Sequence, residues 1–174
     1  MDIDDKKAAE LFRQYGKRLY NTALRITLSS GEAEEIMQET LIRFIRAVDS
    51  GSVFPEDKEW PWLRTTCARL SVDWLRNRSR FVLLDEVRNL PDDDVPEDSS
   101  LWSRLGDDAF QMVVSEISSL PEEYRTILTL RLIENMDYAG IDGILAITES
   151  GVRSRYMRAR RKLEERIRKI TAEY

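Results

Sequence analysis

The stretch that decides the architecture runs from residue 137 to residue 163: Asp137-Tyr138-Ala139-Gly140-Ile141-Asp142-Gly143-Ile144-Leu145-Ala146-Ile147-Thr148-Glu149-Ser150-Gly151-Val152-Arg153-Ser154-Arg155-Tyr156-Met157-Arg158-Ala159-Arg160-Arg161-Lys162-Leu163. Asp137 can cap a short helix over Tyr138 to Leu145. Ala146-Ile147 makes a turn, and Thr148 can cap a long helix that reaches about Ile170. Val152, Tyr156, Ala159, Leu163, Ile167 and Ile170 recur at helical spacing and form its apolar stripe. A short helix, a tight turn and a longer helix is the helix-turn-helix layout. The long helix carries Arg153, Arg155, Arg158, Arg160, Arg161, Lys162, Arg166, Arg168 and Lys169, while Glu149, Glu164, Glu165 and Glu173 are the acids nearby. A solvated cationic helix is one reading. The other is DNA, because four local acids cannot absorb nine bases. Residues near the helix N-terminus would then face base edges in the major groove, and later arginines would meet phosphates.

Working upstream, Leu120-Pro121 starts a helix through about Ile133, and another covers about Asp108 to Ser118. Residues 81–108 differ in character. They hold nine acids against Arg88 and Arg104, with Pro91, Pro96, Ser99 and Ser100 among them. Such a composition gives a flexible tether or a docked irregular segment. It divides the chain into an N-terminal domain, 1–80, and a C-terminal domain, 109–174.

The N-terminal domain reads as three helices. The first spans about Asp5 to Leu28, with Ala8, Phe12, Tyr15, Leu19, Ala23 and Ile26 on one stripe. Ser29 and Glu32 have capping-box spacing before the second, about Gly31 to Val48, whose apolar positions are Met37, Leu41, Phe44, Ile45 and Val48. After a loop through Phe54, Pro55 and Trp60, Pro61 fits the first turn of the third helix, with Leu63, Cys67, Leu70 and Trp74 on its stripe. Residues 61–80 carry Arg64, Arg69, Arg76, Arg78 and Arg80 against Asp73 alone. The net charge of −5 hides this distribution, in which two basic segments flank an acidic one. The fold class expected is all-α, with two small helical domains joined by an acidic linker.

Composition excludes several functions. With no histidine and one cysteine, Cys67, the chain has no Cys/His zinc set, no imidazole catalyst and no internal disulfide. Cys67 falls in an apolar register and is expected to be a buried thiol. No Gly-rich phosphate loop or nucleophile motif is present, so no cofactor, catalytic residue or small-molecule substrate is expected. Met1-Asp2-Ile3-Asp4-Asp5 is acidic and unlike a signal peptide, and no apolar run approaches the ~20 residues of a membrane span. A cytoplasmic protein with no direct membrane insertion is expected.

The run from Val152 to Leu163 closely resembles the end of region 4 of extracytoplasmic-function sigma factors, of the sigma-70 family. Leu120-Pro121 and Tyr124-Arg125 match the start of that domain. Tyr20 with Ala23-Leu24-Arg25, the run Ala33-Glu34-Glu35-Ile36-Met37-Gln38-Glu39, Trp62-Leu63 and Asp73-Trp74-Leu75-Arg76 match region 2. The resemblance covers most of the chain, in the right order. It implies an alternative sigma factor that binds core RNA polymerase and directs promoter-specific initiation. Glu35, Gln38 and Glu39 would meet the polymerase. Arg69, Arg76, Arg78 and Arg80 would track the −10 strand, and the Asp49 to Trp60 loop with Phe54 would take an unstacked base. Arg153, Ser154, Met157 and Arg158 would face the −35 element, with Arg155, Arg160 and Arg161 on its phosphates or in intradomain pairs. The acidic linker would thread polymerase channels or serve as a plain tether, and an anti-sigma factor is implied as a further partner.

Several positions depart from the pattern. Arg69 stands where the family has Asn. Gly140-Ile141-Asp142 replaces Glu-Ile-Ala, Ala146 replaces the turn glycine, and Gly151 replaces Thr. A buried Asp142 would require a cationic partner. These departures keep open an alternative: a sigma-like helix-turn-helix regulator with weak or altered DNA recognition.

Overall fold

In the computed structural model, residues 5–79 and 106–172 are described. Every regular element among them is a helix, and the chain divides into two compact units, residues 1–79 and 80–174. Most of the acidic stretch expected as a linker, and Arg80 with it, lies outside the described residues.

The first unit is a three-helix cluster. Helix α1 (Asp5–Thr27) buries Leu11, Tyr15, Leu19, Ala23 and Ile26. Phe12 was expected on that stripe and is instead 53% exposed. Leu11 takes the inward place, because two adjacent apolar residues lie about 100° apart on a helix and only one can face the core. Helix α2 (Ser30–Asp49) opens as the capping-box spacing predicts, with the Ser29 hydroxyl accepting from the Glu32 N–H. It buries Met37, Leu41, Phe44 and Ile45, while Val48 is half-buried.

Helix α3 (Glu56–Ser79) begins before Pro61, which lies inside it. The expected start was too late. Glu56, Asp57 and Glu59 occupy the first turn, where carboxylates complement the positive helix end. Pro61 withholds one donor from the Asp57 carbonyl, which sits on an exposed residue that water reaches. The buried line is Leu63, Cys67, Ala68, Ser71, Val72 and Leu75, while Leu70 and Trp74 flank it half-buried. This face is wider than one stripe because α3 packs on both α1 and α2. Cys67 is fully buried, and its thiol donates to the Leu19 carbonyl at 3.4 Å. Phe44, Leu19, Ile26, Leu63 and Leu75 are each less than 2% exposed. At about 1.5–3 kcal/mol per side chain, such residues hold the cluster together.

Four α-helices are described in the second unit. Helix α4 (Asp107–Ser118) starts one residue earlier than expected. Helix α5 (Glu122–Leu128) continues as a π-helical turn over Thr129–Ile133, reaching the expected end with a local widening. Helices α6 (Tyr138–Leu145) and α7 (Glu149–Ala172) follow. Both expected caps are formed: the Asp137 carboxylate accepts from the Gly140 N–H at 2.7 Å, and the Thr148 hydroxyl accepts from the Gly151 N–H at 3.1 Å. A Cβ on Gly140 would come within 3.0 Å of the Asp137 carboxylate, so the glycine leaves room for its own cap. Val152, Tyr156, Ala159 and Leu163 anchor α7 in the core, and Ile167 and Ile170 are only half-buried. Ala146 ends α6 in the left-handed region at φ 56°. Asp142 is half-exposed and has no ion pair among the described residues, so solvent rather than an arginine accommodates its charge.

Candidate nucleic-acid interface

The first turns of α7 present one open polar face. Thr148 ends the turn after α6 and fixes where α7 begins. Val152 and Tyr156 then bind its inner side to the core. These anchors leave Ser150, Arg153 and Ser154 exposed, with Met157 half-buried on the same side one turn later. The Arg153 guanidinium leans over the Tyr138 ring at 5.2 Å, a cation–π contact that steadies its stem. Arg158 is half-buried.

Arg155 does not join this face. Its side chain is 11% exposed, and its Nε lies 3.5 Å from the Glu123 carboxylate on α5. Arg160 is buried and donates to Glu164 at 3.1 Å. Lys162 pairs with Glu165, and Arg166 donates to the Ser119 hydroxyl and pairs with Glu116. Glu116 and Glu123 come from other helices, and their part was not visible in the acid count of the α7 region. Arg153, Arg161, Arg168 and Lys169 remain exposed.

The first unit carries a second cationic surface. Arg69 is exposed, and Arg76 lies seven residues on, at roughly the same angle around α3, paired with Asp73 at 3.6 Å. Arg78 is displaced by about half a turn from Arg69 and sits over the Trp74 ring at 4.9 Å. The structure therefore groups Arg69 with Arg76 and sets Arg78 apart.

Phe54 is half-buried, with its ring centroid 5.0 Å from Phe44 and 5.6 Å from Trp62. With Phe44 it lines an open cavity of about 400 Å³, together with Lys7, Leu11, Val53 and Glu59. That volume lies within the range of small-ligand pockets. Trp60, at the start of α3, has Arg18 stacked on its ring at 3.6 Å and Tyr15 nearly parallel at 6.2 Å. The Tyr15 hydroxyl donates to Glu59 at 2.7 Å. Burial first, and that hydrogen bond second, push its pKa up to about 12.

On α2, Glu35 and Gln38 are exposed, and Glu39 accepts from Arg43 at 2.8 Å. Ile42, 38% exposed, adds an apolar position beside them. No polar signal in the sequence marks this exposed isoleucine among its acidic neighbours.

Fold and surfaces define a class: a two-unit helical protein with a helix-turn-helix and a cationic surface on each unit. Residues 11–81 match Sigma-70 region 2, and residues 110–163 match Sigma-70 region 4. The chain belongs to the sigma-70 family, among its extracytoplasmic-function members. It is 32% identical over 168 residues to the ECF RNA polymerase sigma factor SigE of Mycolicibacterium smegmatis, covering 94% of this chain and 63% of that protein. It is 28% identical to the ECF RNA polymerase sigma-E factor of Haemophilus influenzae, covering 95% and 90%, and 27% identical to SigW of Bacillus subtilis, covering 96% and 92%. Among solved structures, the sigma factor RpoE of Bartonella quintana, in complex with the anti-sigma factor NepR, shares the fold, with a TM-score of 0.57 and 20% identity over 95% of this chain and 98% of that one.

Proposed function

We propose that this chain is a promoter-specificity subunit. It binds core RNA polymerase through region 2, opens and reads the −10 element there, and reads the −35 element through region 4. One observation carries the DNA reading: α7 keeps an open face of Ser150, Arg153, Ser154 and Met157 at its N-terminal end while its inner arginines are paired within the domain. A helix-turn-helix uses that end of its second helix to touch base edges.

In this reading Arg153 and Arg158 reach guanine edges, each good bidentate pair giving ~1–3 kcal/mol of discrimination. Ser154 and Met157 complete the contact surface, and Arg155 supports it from within. Arg69 and Arg76 follow the −10 backbone, with Arg78 and Arg80 further along the same segment, and the cavity walled by Phe54 accepts an unstacked base. Glu35, Gln38 and Glu39 dock on a basic polymerase surface, with Ile42 as an apolar anchor among them. The polymerase supplies the catalysis, so the chain needs no catalytic residue or cofactor of its own. It acts where the polymerase acts, in the cytoplasm, and an anti-sigma factor holding it in reserve is the expected regulator.

The test is reconstitution. Chain plus core polymerase should give run-off transcripts from a promoter obtained by selecting bound DNA, and Arg153→Ala or Arg158→Ala should lower −35 selectivity by roughly ten-fold or more. No binding to core polymerase would contradict the proposal. Transcription without promoter preference would favour the altered-recognition alternative.

A further inference from the structure

The first turn of α5 carries Glu123, to which the function above gives no role. Its side chain is 18% exposed, and its carboxylate lies 3.5 Å from Arg155 Nε on α7, whose side chain is 11% exposed. Arg158, almost one turn further along α7, acts on the same carboxylate electrostatically. The contact is longer than a good hydrogen bond. Arg155 Nη1 is buried with no hydrogen-bond partner among the described residues. Arg155 is thus held by charge at one point rather than locked in a two-point fork. It sits between Ser154 and Tyr156, next to the open face.

We propose that Glu123 is a specificity-determining positioning residue that holds Arg155 against α5, away from the DNA backbone, so that the duplex meets Arg153, Ser154 and Met157 instead. The inference rests on the −35 reading of α7 given above. Its logic is a separation of two kinds of affinity. A guanidinium free to reach a phosphate strengthens binding to every sequence, whereas base-edge contacts strengthen binding to one. Tying down the arginine nearest the reading face removes sequence-blind affinity where it would most dilute selection. Burial raises the pKa of the Glu123 carboxyl against the opposing pull of Arg155 and Arg158. A neutral glutamine of the same shape is therefore an acceptable replacement for folding.

The experiment uses holoenzyme, with binding measured by fluorescence anisotropy across a salt series. Two duplexes are compared, one with the selected −35 element and one with that element scrambled. Glu123→Gln should tighten binding to the scrambled duplex several-fold and steepen the slope of log affinity against log salt by about 0.9, the value of one added phosphate contact. Glu123→Asp, which keeps the charge, should retain the wild-type slope. The double variant E123Q/R155Q should lose the added slope, because the released cation is gone. An unchanged slope in Glu123→Gln, or a steepened slope that persists in the double variant, would overturn the proposal. A merely structural glutamate would weaken binding to both duplexes and leave the slope alone. If wild-type holoenzyme fails to distinguish the two duplexes, it is the −35 reading of α7 that fails.

Discussion

Ala146 ends α6 at φ 56°, a conformation that costs a residue with a Cβ about 1–2 kcal/mol. Glycine adopts it freely but loses more entropy on folding, so Ala146→Gly should stabilise the second unit by up to about 1 kcal/mol. Thermal unfolding followed by circular dichroism should show a rise of a few degrees, and a fall would contradict the strain at this position. Glu123 gives a second expectation. Burial raises its pKa, so the fold favours the protonated form. Stability from that group is full below its ordinary pKa and lost as pH rises through the raised value. Glu123→Gln should therefore melt no lower than wild type at pH 7, and the variant's advantage should vanish near pH 4. Tyr15 follows the same sign at the other end of the scale. Its hydroxyl is held at about 12, against about 10 in an unfolded chain. Its contribution is complete below about pH 10 and is lost as pH rises through about 12. Denaturant titrations should show wild type losing stability relative to Tyr15→Phe over that window.

Helices were legible where their signals are local. Ser29, Asp137 and Thr148 each cap as their spacing implied, because a cap needs only its own next three residues. The start of α3 was not legible from Pro61, since the acids at 56, 57 and 59 marked it better. Phe12 and Leu11 could not be separated by periodicity alone, and packing on α2 and α3 chose between them. The tie between Arg155 and Glu123 joins two helices, and no spacing rule within α7 reveals it. That explains why the cationic character of α7 was readable while the set of its outward arginines was not. The aromatic cluster of Phe44, Phe54 and Trp62 belongs to the same class of fact. Phe54→Ala should therefore do two things at once. It should lower first-unit stability by about 3–5 kcal/mol if the site cannot collapse, less in proportion to the ring's exposure, and it should weaken promoter opening. Urea unfolding separates the first effect from the second, which permanganate footprinting of the −10 region reports.

On the scale of the molecule, the two units divide one task. In the proposed function, the acidic α2 face with Ile42 meets the protein partner and the Arg69 and Arg76 face meets single-stranded DNA. On the same proposal, the N-terminal turns of α7 in the second unit meet duplex DNA. Neither surface explains the overall net charge of −5, which is set by acids elsewhere, many of them in residues 81–108. Among the described residues, no helix is long and apolar enough to cross a membrane. The measurement that tests the division most directly is holoenzyme binding to two separately scrambled promoters. Arg153→Ala should erase the penalty for scrambling the −35 element and keep the penalty for scrambling the −10 element. Equal loss of both preferences, or loss of neither, would contradict the assignment of −35 reading to the open face of α7.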